Sequence, residues 1–79
     1  MNKMEKVSES DFLKFASEVL GVPVGSIGMD TAYQSIPEWD SIKHMHLVME
    51  VSAEYGVEIS LEKVVELKTL GDFYRFCIS

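Results

Sequence analysis

The residues best suited to chemistry in this 79-residue chain are a serine behind an aspartate, two histidines and one cysteine. Asp40-Ser41 opens the stretch Ile42-Lys43-His44-Met45-His46-Leu47-Val48-Met49-Glu50, which holds no helix breaker. A helix starting there leaves unpaired backbone N–H groups and the positive end of the helix dipole beside Ser41, a favourable place for a phosphate ester. Aspartate is a strong N-cap, so Asp40 can take the cap and leave the Ser41 hydroxyl outward, open to modification. By itself, Asp-Ser is only a common helix start. A hydrolytic role for Ser41 lacks its companions. No Gly-x-Ser-x-Gly turn occurs, and so short a chain has little room for a base, an orienting acid and oxyanion donors. His44 and His46 are two apart, about 200° around a helix, and cannot share a metal ion. They read as exposed or partly packed side chains. Cys77 reads as a small core residue.

The helix that must position Ser41 carries two apolar stripes. Leu47, Val48, Val51 and Tyr55 form one; Ile42, Met45 and Met49 form the other, extended by Ala53. Lys43, Glu50 and Glu54 lie on a flank between them. One stripe is enough to bury a surface helix against a small core. The second begins beside Ser41 and contains two methionines, which suit adaptable contact surfaces. Burial is therefore expected for Leu47, Val51 and Tyr55, and exposure for Met45 and Met49.

The rest of the chain reads as further helices around that one. Phe12, Phe15, Ala16, Val19 and Leu20 make one helical face, started by Ser8 with Asp11 in a capping-box arrangement and ended by Gly21 and Pro23. This predicts a first helix over residues 9–20 and a second over 41–55, with Gly56 closing it. Ser60 caps a short third helix over 61–67, with Leu61, Val64 and Val65 expected to face inward. Thr69 and Asp72 start a fourth over 70–78, whose inner face is Leu70, Phe73, Tyr74 and Cys77. Residues 21–39 show no period, yet hold Val22, Val24, Ile27, Met29, Tyr33, Ile36 and Trp39. So long a connection is unusual in a compact domain, and its apolar content predicts that it packs across the bundle. A short helical turn is expected near residues 26–29. The expected fold is all-α, a four-helix bundle with a long first loop and a short third helix, forming one domain over residues 1–79.

Composition bounds the function. The net charge of −6 disfavours nucleic acid as a partner and favours basic protein surfaces, besides aiding solubility. One cysteine allows no internal disulfide. No apolar run approaches a membrane span, and the N-terminal residues, Met1 to Lys6, lack the apolar core of a signal peptide. A cytoplasmic monomer is the expectation.

At Asp40-Ser41-Ile42 the chain resembles the acyl carrier proteins, whose signature is Asp-Ser-Leu at the start of the second helix. The similarity continues through Leu47-Val48-Met49, Tyr55-Gly56-Val57-Glu58-Ile59 and Thr69-Leu70-Gly71-Asp72-Phe73, and covers roughly residues 9 to 79. The resemblance implies a 4′-phosphopantetheine arm attached to Ser41 by a phosphopantetheinyl transferase, with acyl groups carried as thioesters between acyl-loading and acyl-processing enzymes. It implies a carrier and not an enzyme. Asp40 would assist recognition. Trp39, Ile42, Met45, Met49 and Glu50 would form the partner contact, although the size of Trp39 also suits packing over the top of the helix. Leu47, Ile59 and Val64 would line an acyl cavity, and Tyr33 stands where the family often has a loop phenylalanine against the core.

The chain departs from the fatty-acid carriers in two places. Pro37-Glu38-Trp39 replaces their Leu-Gly, and Lys43, His46, Ser52 and Ala53 stand where carboxylates are frequent. These departures point to a carrier for a specialised biosynthetic pathway, poorly used by general fatty-acid enzymes. The alternatives are an aminoacyl or peptidyl carrier, and an unmodified helical module that binds an amphipathic helix along Ile42, Met45 and Met49.

Overall fold

The computed structural model describes residues 8–78, the side chain of Ile78 excepted; the N-terminal stretch considered above for a signal peptide lies outside them. Each helix begins where a short polar side chain can take a free amide. Ser8 Oγ accepts the Asp11 N–H at 3.1 Å and opens α1 (Glu9–Leu20). Gly21, at φ 75°, closes that helix with its N–H on the Ser17 carbonyl at 2.8 Å. Only a residue without a Cβ enters that left-handed region freely. The Asp40 carboxylate accepts the Lys43 N–H at 2.9 Å and opens α2 (Ser41–Tyr55), which Gly56 ends in the same way at φ 66°. Ser60 opens α3 (Leu61–Glu66), one residue shorter than its apolar pattern suggests. At α4 (Leu70–Ile78) the cap is reciprocal. Thr69 Oγ1 accepts the Asp72 N–H, while the Asp72 carboxylate accepts the N–H groups of Lys68 and Thr69.

The architecture is the expected one: all-α, four helices, the third short, and no strand among the described residues beyond an isolated bridge between Ala32 and Thr69. Phe12, Ala16, Leu20, Leu47, Val51, Leu70, Phe73 and Cys77 form the centre of the core. Phe12 and Phe15 pack on the ring of Tyr55, which is half-buried where full burial was expected. Burial still pushes its phenol up to about 12, with the nearby Cys77, Glu54 and Asp11 adding to the effect, and pushes the Cys77 thiol up to about 11.

The long connection has a structural purpose beyond its length. Its carbonyls receive the first amides of α4: Leu70 N–H donates to Thr31 at 3.0 Å and Gly71 N–H to Met29 at 2.8 Å, while Tyr33 N–H donates to Lys68 at 2.7 Å. A helix start leaves such amides without partners of its own, so this loop completes α4. The short turn within it is a 3₁₀ turn at Val24–Ser26, earlier than expected, made where the Ser26 N–H and hydroxyl both return to the Pro23 carbonyl.

The inward face assigned to α3 needs correction. Leu61 and Val65 are 79% and 71% exposed, and the buried residues are Val64 and Leu67. Val65 lies 100° around the helix from Val64, and Leu61 sits in the first turn. A six-residue helix held at its C-terminal end brings only that end to the core.

Candidate functional site

Ser41 is the first residue of α2 and is exposed. The Asp40 carboxylate holds the cap, and the Ser41 hydroxyl enters no hydrogen bond among the described residues. The Lys43 amide is taken by Asp40 Oδ1 and that of His44 by the Asp40 carbonyl, so the N–H groups of Ser41 and Ile42 are left at the open end. A hydroxyl at the positive end of a 15-residue helix, with two amides beside it, fits a phosphodiester.

Of the proposed partner surface, Ile42 and Met49 are 73% and 61% exposed, and Met45 and Glu50 are exposed as well. Trp39 does not join them. It is wholly buried, its ring packed near Tyr33, His44 and Phe73, because the turn over Ile36 to Trp39 folds it beneath the start of α2. That turn is set by Gln34 at φ 68°, whose N–H donates to the Trp39 carbonyl at 3.1 Å.

The three residues assigned to an acyl cavity belong to one hydrophobic cluster, Ile59 at its edge, but line no common pocket among the described residues. Leu47 is wholly inside the core, because it continues the buried stripe of α2. Ile59 borders a separate hollow with Glu58, Ser60, Lys63 and Phe76. Of the three, Val64 lines an apolar pocket of about 430 Å³ that lies between the long loop, α2 and α3, together with Ala32, Tyr33, His44, Val65, Leu67 and Lys68.

Two side chains behave differently from their sequence reading. Lys43 is not a charge held out to partners: its ammonium donates to the carbonyls of Val19 and Leu20 at the end of α1. His44 is buried. The Trp39 indole N–H donates to its Nδ1 at 3.1 Å, its Nε2 lies 3.3 Å from the Val64 carbonyl oxygen, and the Tyr33 ring stacks on it at 4.3 Å. A signal for this was present, since His44 with Leu47, Val48 and Val51 completes the i, i+3, i+4, i+7 pattern of the buried face.

A serine presented in this way on a four-helix bundle is the arrangement of a carrier, and the chain belongs to the phosphopantetheine attachment site family, whose sequence pattern matches residues 10–77. It is 37% identical over 75 residues to the acyl carrier protein of Tropheryma whipplei (strain Twist), covering 95% of this chain and 90% of that one. It is equally similar to that of strain TW08/27, and 30% identical over 63 residues to that of Arthrobacter sp. (strain FB24), covering 80% and 78%. The prosthetic group of the family is 4′-phosphopantetheine, and its acyl carrier proteins carry and do not catalyse. Among the described residues no group of three or more His, Cys, Asp or Glu side chains could hold a metal, and no helix is long and apolar enough to cross a membrane.

Proposed function

We propose that Ser41 is the attachment residue and that the chain carries acyl groups as thioesters for a dedicated biosynthetic pathway. The observation that carries this reading is the exposed, unbonded Ser41 hydroxyl at a helix start whose cap is supplied by Asp40. The arm supplies a terminal thiol to which an acyl group is joined. The protein's own residues do the rest. Asp40 fixes the helix start and so the direction of the Ser41 hydroxyl. The two open amides stabilise negative charge on the phosphate. Ile42, Met45, Met49 and Glu50 offer a contact strip to the transferase and to the loading and processing enzymes.

The dedicated pathway is supported by the charge of α2. Its body keeps only two carboxylates, Glu50 and Glu54, and an exposed histidine, His46, stands among them. Basic surfaces shaped for an acidic helix meet little complementary charge here. The test is intact-protein mass after co-expression with a broad-specificity phosphopantetheinyl transferase. One added arm on the native chain and none on Ser41→Ala is the expected result. An unmodified native chain would leave a helix-binding module in its place.

A further inference from the structure

His44 lies one turn from Ser41, and its ring is held by Tyr33, Trp39 and Phe73. Tyr33 from the loop stacks on it at 30°, Phe73 from α4 meets it edge-on at 5.7 Å, and Trp39 donates to Nδ1. An indole N–H can only donate, so Nδ1 is the bare nitrogen and the ring proton sits on Nε2, directed at the Val64 carbonyl. The ring is thereby fixed in plane and in tautomer before it reaches α3.

The helix it reaches is weakly held. Within α3 only Val64 is buried. The Val64 carbonyl, in the last turn of α3, also accepts the Leu67 N–H at 3.3 Å. His44 therefore grips α3 in its last turn, as a second partner of a carbonyl that otherwise has only the Leu67 N–H. His44 and Val64 are also both walls of the apolar pocket.

We propose that His44 is a positioning residue that fastens α3 over this pocket, so that the room for cargo is limited by the His44–Val64 hydrogen bond. A group that extends deeper between α2 and α3 must push α3 away and leave a buried N–H without an acceptor, which is unfavourable. Short acyl groups are then sheltered and long ones are not. This last step rests on the carrier reading above; the tie itself does not.

The test uses the full chain in three measurements. Ring ¹⁵N shifts of the native protein at neutral pH should show His44 as the Nε2–H tautomer; the Nδ1–H tautomer overturns the proposal, and this reading needs no variant to fold. Amide exchange at Val64 and Leu67 should be faster in His44→Phe by about three- to tenfold, with α1 and α4 unchanged, and His44→Gln, which keeps a donor, should restore part of the protection. Unchanged exchange, or an equal rise in all four helices, overturns the tie. Finally, thioester hydrolysis is compared for hexanoyl- and dodecanoyl-loaded chains. The native protein should shield hexanoyl better, and His44→Phe should narrow the difference. Equal hydrolysis of both chains on the native protein overturns the cargo limit, whereas failure of any arm to attach at Ser41 overturns the carrier reading instead.

Discussion

The Lys43 ammonium lies 3.3 Å from the Leu20 carbonyl oxygen and 3.5 Å from that of Val19, so a lysine in the first turn of α2 closes the last turn of α1. The last turn of α1 has no basic residue of its own, and its end carries the negative pole of the helix dipole. Lys43→Met should lower stability by about 0.3–1 kcal/mol, the usual worth of a cation at a helix C-terminus. Lys43→Asp should cost more, because it sets a carboxylate against carbonyl oxygens. Urea midpoints measure both. A Lys43→Asp midpoint equal to the native one would place the ammonium in solvent and return Lys43 to the partner surface.

Ser41 and Asp40 divide the work at the start of α2, and their substitutions should separate. Ser41→Ala removes a hydroxyl with no partner among the described residues and should leave the thermal midpoint nearly unchanged. Asp40→Ala removes the acceptor of the Lys43 N–H and should cost about 1 kcal/mol. A Ser41→Ala chain that unfolds would mean that the hydroxyl is structural.

The helix ends were legible in the sequence because their causes are local. Ser8 with Asp11, Asp40 with Lys43, Ser60 with Lys63 and Thr69 with Asp72 are all bonded three residues apart, within the reach of a motif. The opposed stripes of α2 were legible for the same reason. What was hidden depends on contacts distant in sequence. Lys43 finds Leu20 across 23 residues and His44 finds Val64 across 20. Trp39 is buried by a turn that Gln34 makes at a positive φ unusual for its type. Leu47 lies wholly in the core, and spacing alone could not tell this from a place on a pocket wall, because a core leucine and a pocket leucine share the same spacing along a helix. In α3 the period has too few residues to tell one face from another.

The two stripes make opposite predictions for neighbouring residues. Leu47 is wholly buried, and Leu47→Ala should cost roughly 2–5 kcal/mol, the range for core leucines. Met49 is 61% exposed, and Met49→Glu should change stability by no more than about 0.5 kcal/mol. Thermal melts of the two variants check this. A larger loss for Met49→Glu would mean that the methionine stripe is covered in solution.

Asp72 ties the start of α4 to stability in acid. Burial alone would raise its carboxyl, but the N–H groups of Lys68 and Thr69 and the Arg75 guanidinium at 2.7 Å outweigh burial and hold it below the ordinary range. A carboxyl whose folded value lies below its unfolded value adds stability above the unfolded value, about 3.9 for aspartate, and loses it as pH falls through the folded one. Asp72→Asn removes the charge while keeping one acceptor for the cap, so its cost at pH 7 should be about 0.5–2 kcal/mol. The Arg75 pair adds little, since the arginine side chain is 70% exposed. The gap between the native chain and Asp72→Asn should therefore be widest near neutrality and shrink as the native carboxylate is protonated below about pH 4. Denaturant melts of both chains at pH 7 and in acid measure that gap. A gap that stays constant would mean that Asp72 acts at α4 through its shape as a cap and not through its charge.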